Sequence, residues 1–168
     1  APNLVPFRGA YPSVRALMWN SVEFDRRLLN GLERPVWDSV VAALVRRITD
    51  SVIDAAMQAL PPEYRPSAPL LASRLKQRRD GLPDAARRFY LVLAAVADIH
   101  ATDGADRATI TRVDDRVVEV RLESEDGTPF FVRRFDRRET AEIRVYLHGG
   151  DDGAVVRGHV PRSIPVRI

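Results

Sequence analysis

The sequence predicts an α+β fold: an N-terminal five-helix bundle followed by a β-sheet or a short β-solenoid. Two observations carry this. Apolar residues recur three and four apart from residue 21 to about residue 100, and from residue 101 the period drops to two. Turn-forming pairs, Asp114-Asp115 and Asp126-Gly127, then separate the alternating segments as tight turns separate strands. The boundaries that follow are an extended arm over 1–20, a helical bundle over 21–100 and a β-rich domain over 101–168.

The arm carries three prolines around Gly9 and no helical period. Its rings, Phe7, Tyr11 and Trp19, must be covered somewhere, on this domain or on a neighbour. Phe24, Leu28 and Leu32 stand four apart, which predicts a short helix closed at Asn30-Gly31. Pro35 suits a first helical turn, and Val36, Trp37, Val40, Val41, Leu44, Val45 and Ile48 form the stripe of a second helix. Thr49 caps a third, with Val52, Ile53, Ala56, Met57 and Leu60 inward, ended by Pro61-Pro62. A fourth starts at Ser67 and stops at Gly81. A fifth, the most apolar, runs from Pro83 to about Ile99 and is expected at the centre of the bundle. Trp19 and Trp37 read as core anchors.

Strands are expected around Thr109–Val113, Val118–Leu122, Phe131–Phe135, Ile143–Leu147 and Ile164–Ile168, where apolar and polar residues mostly alternate. The patterns Ile143-x-Val145-x-Leu147 and Ile164-x-Val166-x-Ile168 match at an offset of 21 residues, with a looser copy at Val118-x-Val120-x-Leu122. Offsets of about 20 residues fit stacked solenoid rungs, and three short copies also fit a plain antiparallel meander.

Composition narrows the function classes. The 168 residues are 45% hydrophobic and 29% charged, an ordinary globular balance. The longest apolar run, Tyr90–Ala97, falls well short of the roughly 20 residues of a membrane-spanning helix. Net charge is +3, and Lys76 is the one lysine among 26 basic residues. Basic and acidic groups are interspersed, so no concentrated basic face for nucleic acid is expected. Cysteine is absent, which excludes disulfides, thiol catalysis and cysteine-ligated zinc. The chain starts Ala1-Pro2-Asn3 without methionine or leader and stops in mid-strand pattern, so a processed or partial chain is expected.

Three constellations are candidates for chemistry. His148-Gly149-Gly150-Asp151-Asp152 resembles half of a G-G-x-G-x-D calcium repeat, with Asp151 in place of the third glycine and no second copy. Asp151 and Asp152 are therefore a calcium half-site at most, and a turn with solvated aspartates otherwise. Asp98, His100 and Asp103 lie within six residues and fit either a metal-assisted hydrolase site or an ordinary helix end. His148 and His159 flank the Gly-Gly-Asp-Asp turn and could join such a site. No nucleophile elbow, phosphate-cradling glycine loop or H-E-x-x-H motif occurs, so no catalytic residue and no cofactor is assigned.

A set of motifs spans nearly the whole chain. It comprises Trp19-Asn20…Phe24-Asp25-Arg26-Arg27-Leu28-Leu29-Asn30-Gly31…Trp37, then Thr49-Asp50-Ser51-Val52…Leu60-Pro61-Pro62-Glu63-Tyr64, Arg78-Arg79-Asp80-Gly81-Leu82-Pro83 and Glu142–Asp152. This set resembles a group of bacterial envelope proteins in which a helical segment and a β-rich segment with Gly-Gly-Asp-Asp turns precede a C-terminal outer-membrane barrel of the surface-antigen type. The resemblance implies a periplasmic or envelope-associated setting and assigns no catalytic residue. In that group further glycine- and aspartate-rich turns follow the strand matching 164–168; this chain has neither those nor the barrel. The function expected is therefore a non-catalytic interaction or scaffold subunit, docking on other protein subunits of a membrane-associated assembly. Its contacts are expected from Phe7, Tyr11 and Trp19 in the arm and from Ile164, Val166 and Ile168 at the last strand.

Overall fold

A computed structural model describes residues 7–168. It is mixed α and β, with five α-helices, two open sheets and no closed barrel. Two compact units divide the chain: residues through Met18 together with Arg34–Phe89, and Trp19–Glu33 together with Tyr90–Ile168. Among the described residues no helix is long and apolar enough to cross a membrane.

In the first unit, α1 (Val14–Leu17) is a single turn inside the predicted arm, capped by Ser13. Helix α3 (Arg34–Arg47) and helix α4 (Asp50–Gln58) match the expected spans, and Thr49 caps α4 by accepting the N–H of Val52 at 3.3 Å. A 3₁₀ segment, Pro62–Ser67, leads into α5 (Ala68–Ala94). The predicted fourth and fifth helices are thus one. Gly81 costs the helix about 0.5–1 kcal/mol relative to alanine, and Pro83 removes one N–H bond and crowds the carbonyl one turn before it. The surrounding turns run on through both. Arg79 stitches the unit together: its Nη1 donates to the Ile48 carbonyl at 3.1 Å and pairs with Asp50 at 2.5 Å. Trp37 rests against Phe89 with ring centroids 5.4 Å apart.

The second unit holds α2 (Val22–Leu29) and both sheets. Its first strand was not expected: α5 stops at Ala94, and β1 (Val96–His100) follows where the helical pattern was read as continuing to Ile99. The run Val92–Ile99 is apolar at almost every position, so it carries no period to tell a buried helix from a buried strand. Six more strands follow: β2 (Asp106–Arg112), β3 (Val117–Ser124), β4 (Pro129–Asp136), β5 (Glu142–Tyr146), β6 (Gly153–Arg157) and β7 (Val166–Arg167). The turns at Asp114-Asp115 and Asp126-Gly127 are present. Asp114 Oδ1 accepts the N–H groups of Arg116 and Val117, and Gly127 takes φ +81°. Strand β6 was missed, and the predicted strand 164–168 shrinks to two residues, Val166 and Arg167, with Ile164 buried ahead of Pro165.

One sheet has the order β1-β5-β7, all parallel; the other has the order β4-β3-β2-β6, with β2 and β6 parallel and the rest antiparallel. The 21-residue repeat does not describe this arrangement. Ile143 lies beside Val166, an offset of 23, and Val118–Leu122 belongs to the other sheet. The offset that recurs is 46 residues: Val96 lies beside Glu142 and Arg107 beside Gly153. Two stretches, β1–loop–β2 and β5–loop–β6, therefore run side by side in one register across both sheets, with the β3–β4 hairpin inserted between them. Inward residues of these stretches (Ile99, Ile110 and Ile143), of the hairpin (Val118, Val120, Leu122 and Phe135) and Ile164 after β6 form the core, all at most 1% exposed.

Candidate functional site

The side-by-side stretches turn a corner between the sheets, and that corner gathers most of the residues singled out in the sequence. His100 ends β1 and Tyr146 ends β5; the parallel register sets them next to each other, stacked with ring centroids 4.7 Å apart and planes within 10° of parallel. His148 follows two residues later and packs against both rings, 5.1 Å from His100 at 14° and 6.5 Å from Tyr146. Its Nε2 is 3.0 Å from His100 Nδ1, so the two imidazoles share one hydrogen bond. His148 reaches that position through left-handed backbone, φ +66°, a region in which histidine is enriched over most residues.

Burial holds the His100 imidazole below its ordinary range, with Arg27 and His148 pushing the same way and Asp98 opposing. Asp98 is buried next to Arg144, with 3.7 Å between Asp98 Oδ1 and the guanidinium. Arg144 also binds Glu142 at 2.8 Å and so keeps the Glu142 carboxyl below the usual carboxylate range.

The Gly-Gly-Asp-Asp turn is the second pass around the corner, and it docks on the first. Ala101 donates its N–H to the Tyr146 carbonyl at 2.9 Å. Gly150, at φ +122°, lies so close to the first loop that a β-carbon there would meet the Gly104 carbonyl oxygen at 2.4 Å. Asp152 Oδ1 accepts the N–H of Asp106 at 2.9 Å. Asp106, itself buried, accepts from the N–H and the hydroxyl of Thr102 at 2.6 and 2.7 Å. The signal that could have found this is the shared G-x-D at Gly104–Asp106 and Gly150–Asp152, spaced by the same 46 residues. Asp151 and Asp152 line a hollow of about 370 Å³ together with Asp106, Glu123, Glu125 and Asp126. Among the described residues no group of three His, Asp or Glu side chains is placed to hold a metal ion. His159 lies beyond β6 and is exposed.

A second polar cluster lies inside this unit, and the sequence did not signal it. Arg133, on β4, shares the inward face of Phe131 and Phe135 and is buried there, a charged residue at a core position. It donates to the Asn30 carbonyl and, at 3.4 Å, to the Tyr90 hydroxyl, and its guanidinium sits 4.6 Å from the centre of the Phe135 ring. Tyr90 in turn donates to Glu139 at 2.7 Å. Burial, then the Glu139 hydrogen bond, push the Tyr90 phenol up to about 12. The cluster ties the end of α2, residue 90 of α5, β4 and the 136–141 turn into one unit.

The expected contact residues separate. In the first unit, Phe7 and Tyr11 take the Arg78 guanidinium over their rings at 4.2 and 5.4 Å, and Tyr11 is half-buried against Gly81. Trp19, read as a core anchor, is 79% exposed. The adjacent Met18 is the buried one of the pair, at 1% exposure. Ile164 is buried and offers no side chain to a partner, Val166 is half-buried, and Ile168 is exposed. No family model, curated protein or solved structure matches this chain.

Proposed function

We propose that this chain is a non-catalytic interaction or scaffold domain, acting on the envelope side of a membrane-associated assembly. One observation carries the reading. Trp19, Phe24 and Leu28, all in the β-bearing unit, stand 79%, 65% and 62% exposed. Phe24 and Leu28 are four apart on α2 and so share one helical face. Leaving a tryptophan, a phenylalanine and a leucine in water forgoes roughly 1.5–3 kcal/mol of burial for each aliphatic or phenyl side chain. Large exposed aromatic groups in one region are what contact surfaces carry. The envelope setting rests on the motif resemblance described above. At the ring stack, the hydrogen bonds and ion pairs of His100, Asp98 and Arg144 are internal ones, which supports a structural task for that corner.

Photo-crosslinking in cells tests the proposal. A photoreactive residue at Leu28 should give a discrete adduct in the membrane fraction, and one at Glu63, an exposed site of the other unit, should not. Equal labelling at both positions, or none at Leu28, overturns it.

A further inference from the structure

The two sheets expose four strand edges, and three of them are blunted. The outer edge of β1 has its Asp98 carbonyl taken by the Asn30 side chain. The outer edge of β4 begins at Pro129, bears Arg134, and follows a register shift at Leu122/Glu123. The outer edge of β7 is two residues long and preceded by Pro165. Lysine, proline, bulges and brevity are the means by which edge strands avoid pairing. Strand β6 has no proline and no bulge, and its one charge, Arg157, stands at its last position. All five residues of Gly153–Arg157 are exposed, Val155 and Val156 nearly half so, although Val156 lies in register with the fully buried Ile110.

The charges around this edge run in opposite senses at its two ends. Asp151 precedes the strand and Arg157 closes it; both are exposed, and among the described residues neither enters an ion pair within the chain. An antiparallel copy of the same strand places Arg157 of each chain over the partner's Gly153, which has no side chain, and beside its Asp151. The same register sets Val155 against itself on the two-fold axis and Val156 against Ala154, extending the layer that holds Ile110. We propose that β6 pairs antiparallel with β6 of a second copy, joining the two four-stranded sheets into one continuous sheet across a two-fold axis. This goes beyond the reading built on Trp19, Phe24 and Leu28 and uses a different surface.

Light scattering and sedimentation of the purified chain test it, together with three variants. The unaltered chain should be a concentration-dependent dimer. Val155→Pro, with circular dichroism confirming the fold, should be a monomer. Arg157→Asp should raise the dissociation constant about tenfold, since the symmetry counts each cross-strand pair twice. Adding Asp151→Arg to it should restore the affinity. Val155→Cys, in a chain without other cysteines, should oxidise to a covalent dimer, and Glu63→Cys should not. A chain that stays monomeric at every concentration, as it would if this edge took a strand from a different protein, overturns the proposal. So does a dimer that survives Val155→Pro or fails to cross-link through residue 155. Neither result bears on adducts formed at Leu28.

Discussion

Asp152 Oδ1 accepts the backbone N–H of Asp106 at 2.9 Å, and the two aspartates occupy equivalent places in successive passes around the same corner. The carboxylate therefore satisfies a donor that the loop would otherwise leave unpaired beside a buried residue. A hydrogen bond to a charged acceptor of this kind is worth about 1.5–3 kcal/mol. Asp152→Ala is expected to lose most of that in urea unfolding, and Asp152→Asn, which keeps an acceptor oxygen, about half. Asp151, which points to solvent, should tolerate alanine. Equal behaviour of the two alanine variants would remove the capping role.

Gly150 and Gly149 are adjacent but not equivalent. A β-carbon at 150 would lie 2.4 Å from the Gly104 carbonyl oxygen and would need φ +122°, whereas one at 149 would meet nothing closer than 3.9 Å. Because the obstruction is backbone, it cannot swing aside as a flexible side chain would. Gly150→Ala should cost about 2–3 kcal/mol or more, from strain together with lost docking of the two loops. Gly149→Ala should stay within about 1 kcal/mol. Thermal melts of the pair decide it, and a Gly150→Ala variant as stable as Gly149→Ala would contradict the close approach.

Proton linkage follows from the stacked histidines. Burial lowers the folded-state value of His100 below the ordinary 6.5. The unfolded chain therefore binds the proton more readily, and stability rises with pH across this window. The contribution is complete above the unfolded value of 6.5 and is lost as pH falls through the depressed folded value. Protonating both rings would also place two cations across a 3.0 Å contact. Melting temperatures of the unaltered chain and His100→Gln, taken from pH 8 to pH 5, should converge or cross as the pH falls. Parallel curves over that range would refute the linkage.

How much of this was legible in the sequence depended on whether a residue's surroundings are local. Thr49 as a cap, the Asp114-Asp115 turn and the alternating β3 follow from neighbours within a few positions, and they appear where expected. The candidate corner was legible only in part. Gly150 and Asp152 stood out as a turn, but their partners Gly104 and Asp106 lie 46 residues away, and an inserted hairpin hides the offset. The 21-residue repeat arose because half-buried strands share the same alternation whichever sheet they enter. β6 was missed for the converse reason: it lies at an open edge with all five residues exposed, so burial imposes no alternation on it. Arg133 shows the limit from the other side. The spacing of Phe131, Arg133 and Phe135 puts it on the inward face, but its polar partners Asn30 and Tyr90 lie in distant elements that no spacing along β4 reveals.

The uninterrupted α5 gives a prediction that runs against the sequence pattern. Arg78-Arg79-Asp80-Gly81-Leu82-Pro83 reads as a helix stop followed by a helix start, yet the helix spans Ala68–Ala94. If Gly81 were a terminating residue in left-handed backbone, a β-carbon there would be strained. In a helix interior the same β-carbon removes the entropic cost of glycine, about 0.5–1 kcal/mol. The space for it exists: it would rest 3.7 and 3.8 Å from two ring carbons of Tyr11, ordinary contact distances. Gly81→Ala should therefore raise the unfolding free energy by about 0.5–1 kcal/mol and add a small apolar contact to the Tyr11 ring. Tyr11→Ala in the same background should cancel the part of the gain that comes from that contact and leave the helical part. A loss of stability in Gly81→Ala, with or without Tyr11, would mean that the helix breaks at residue 81 as the sequence pattern suggests.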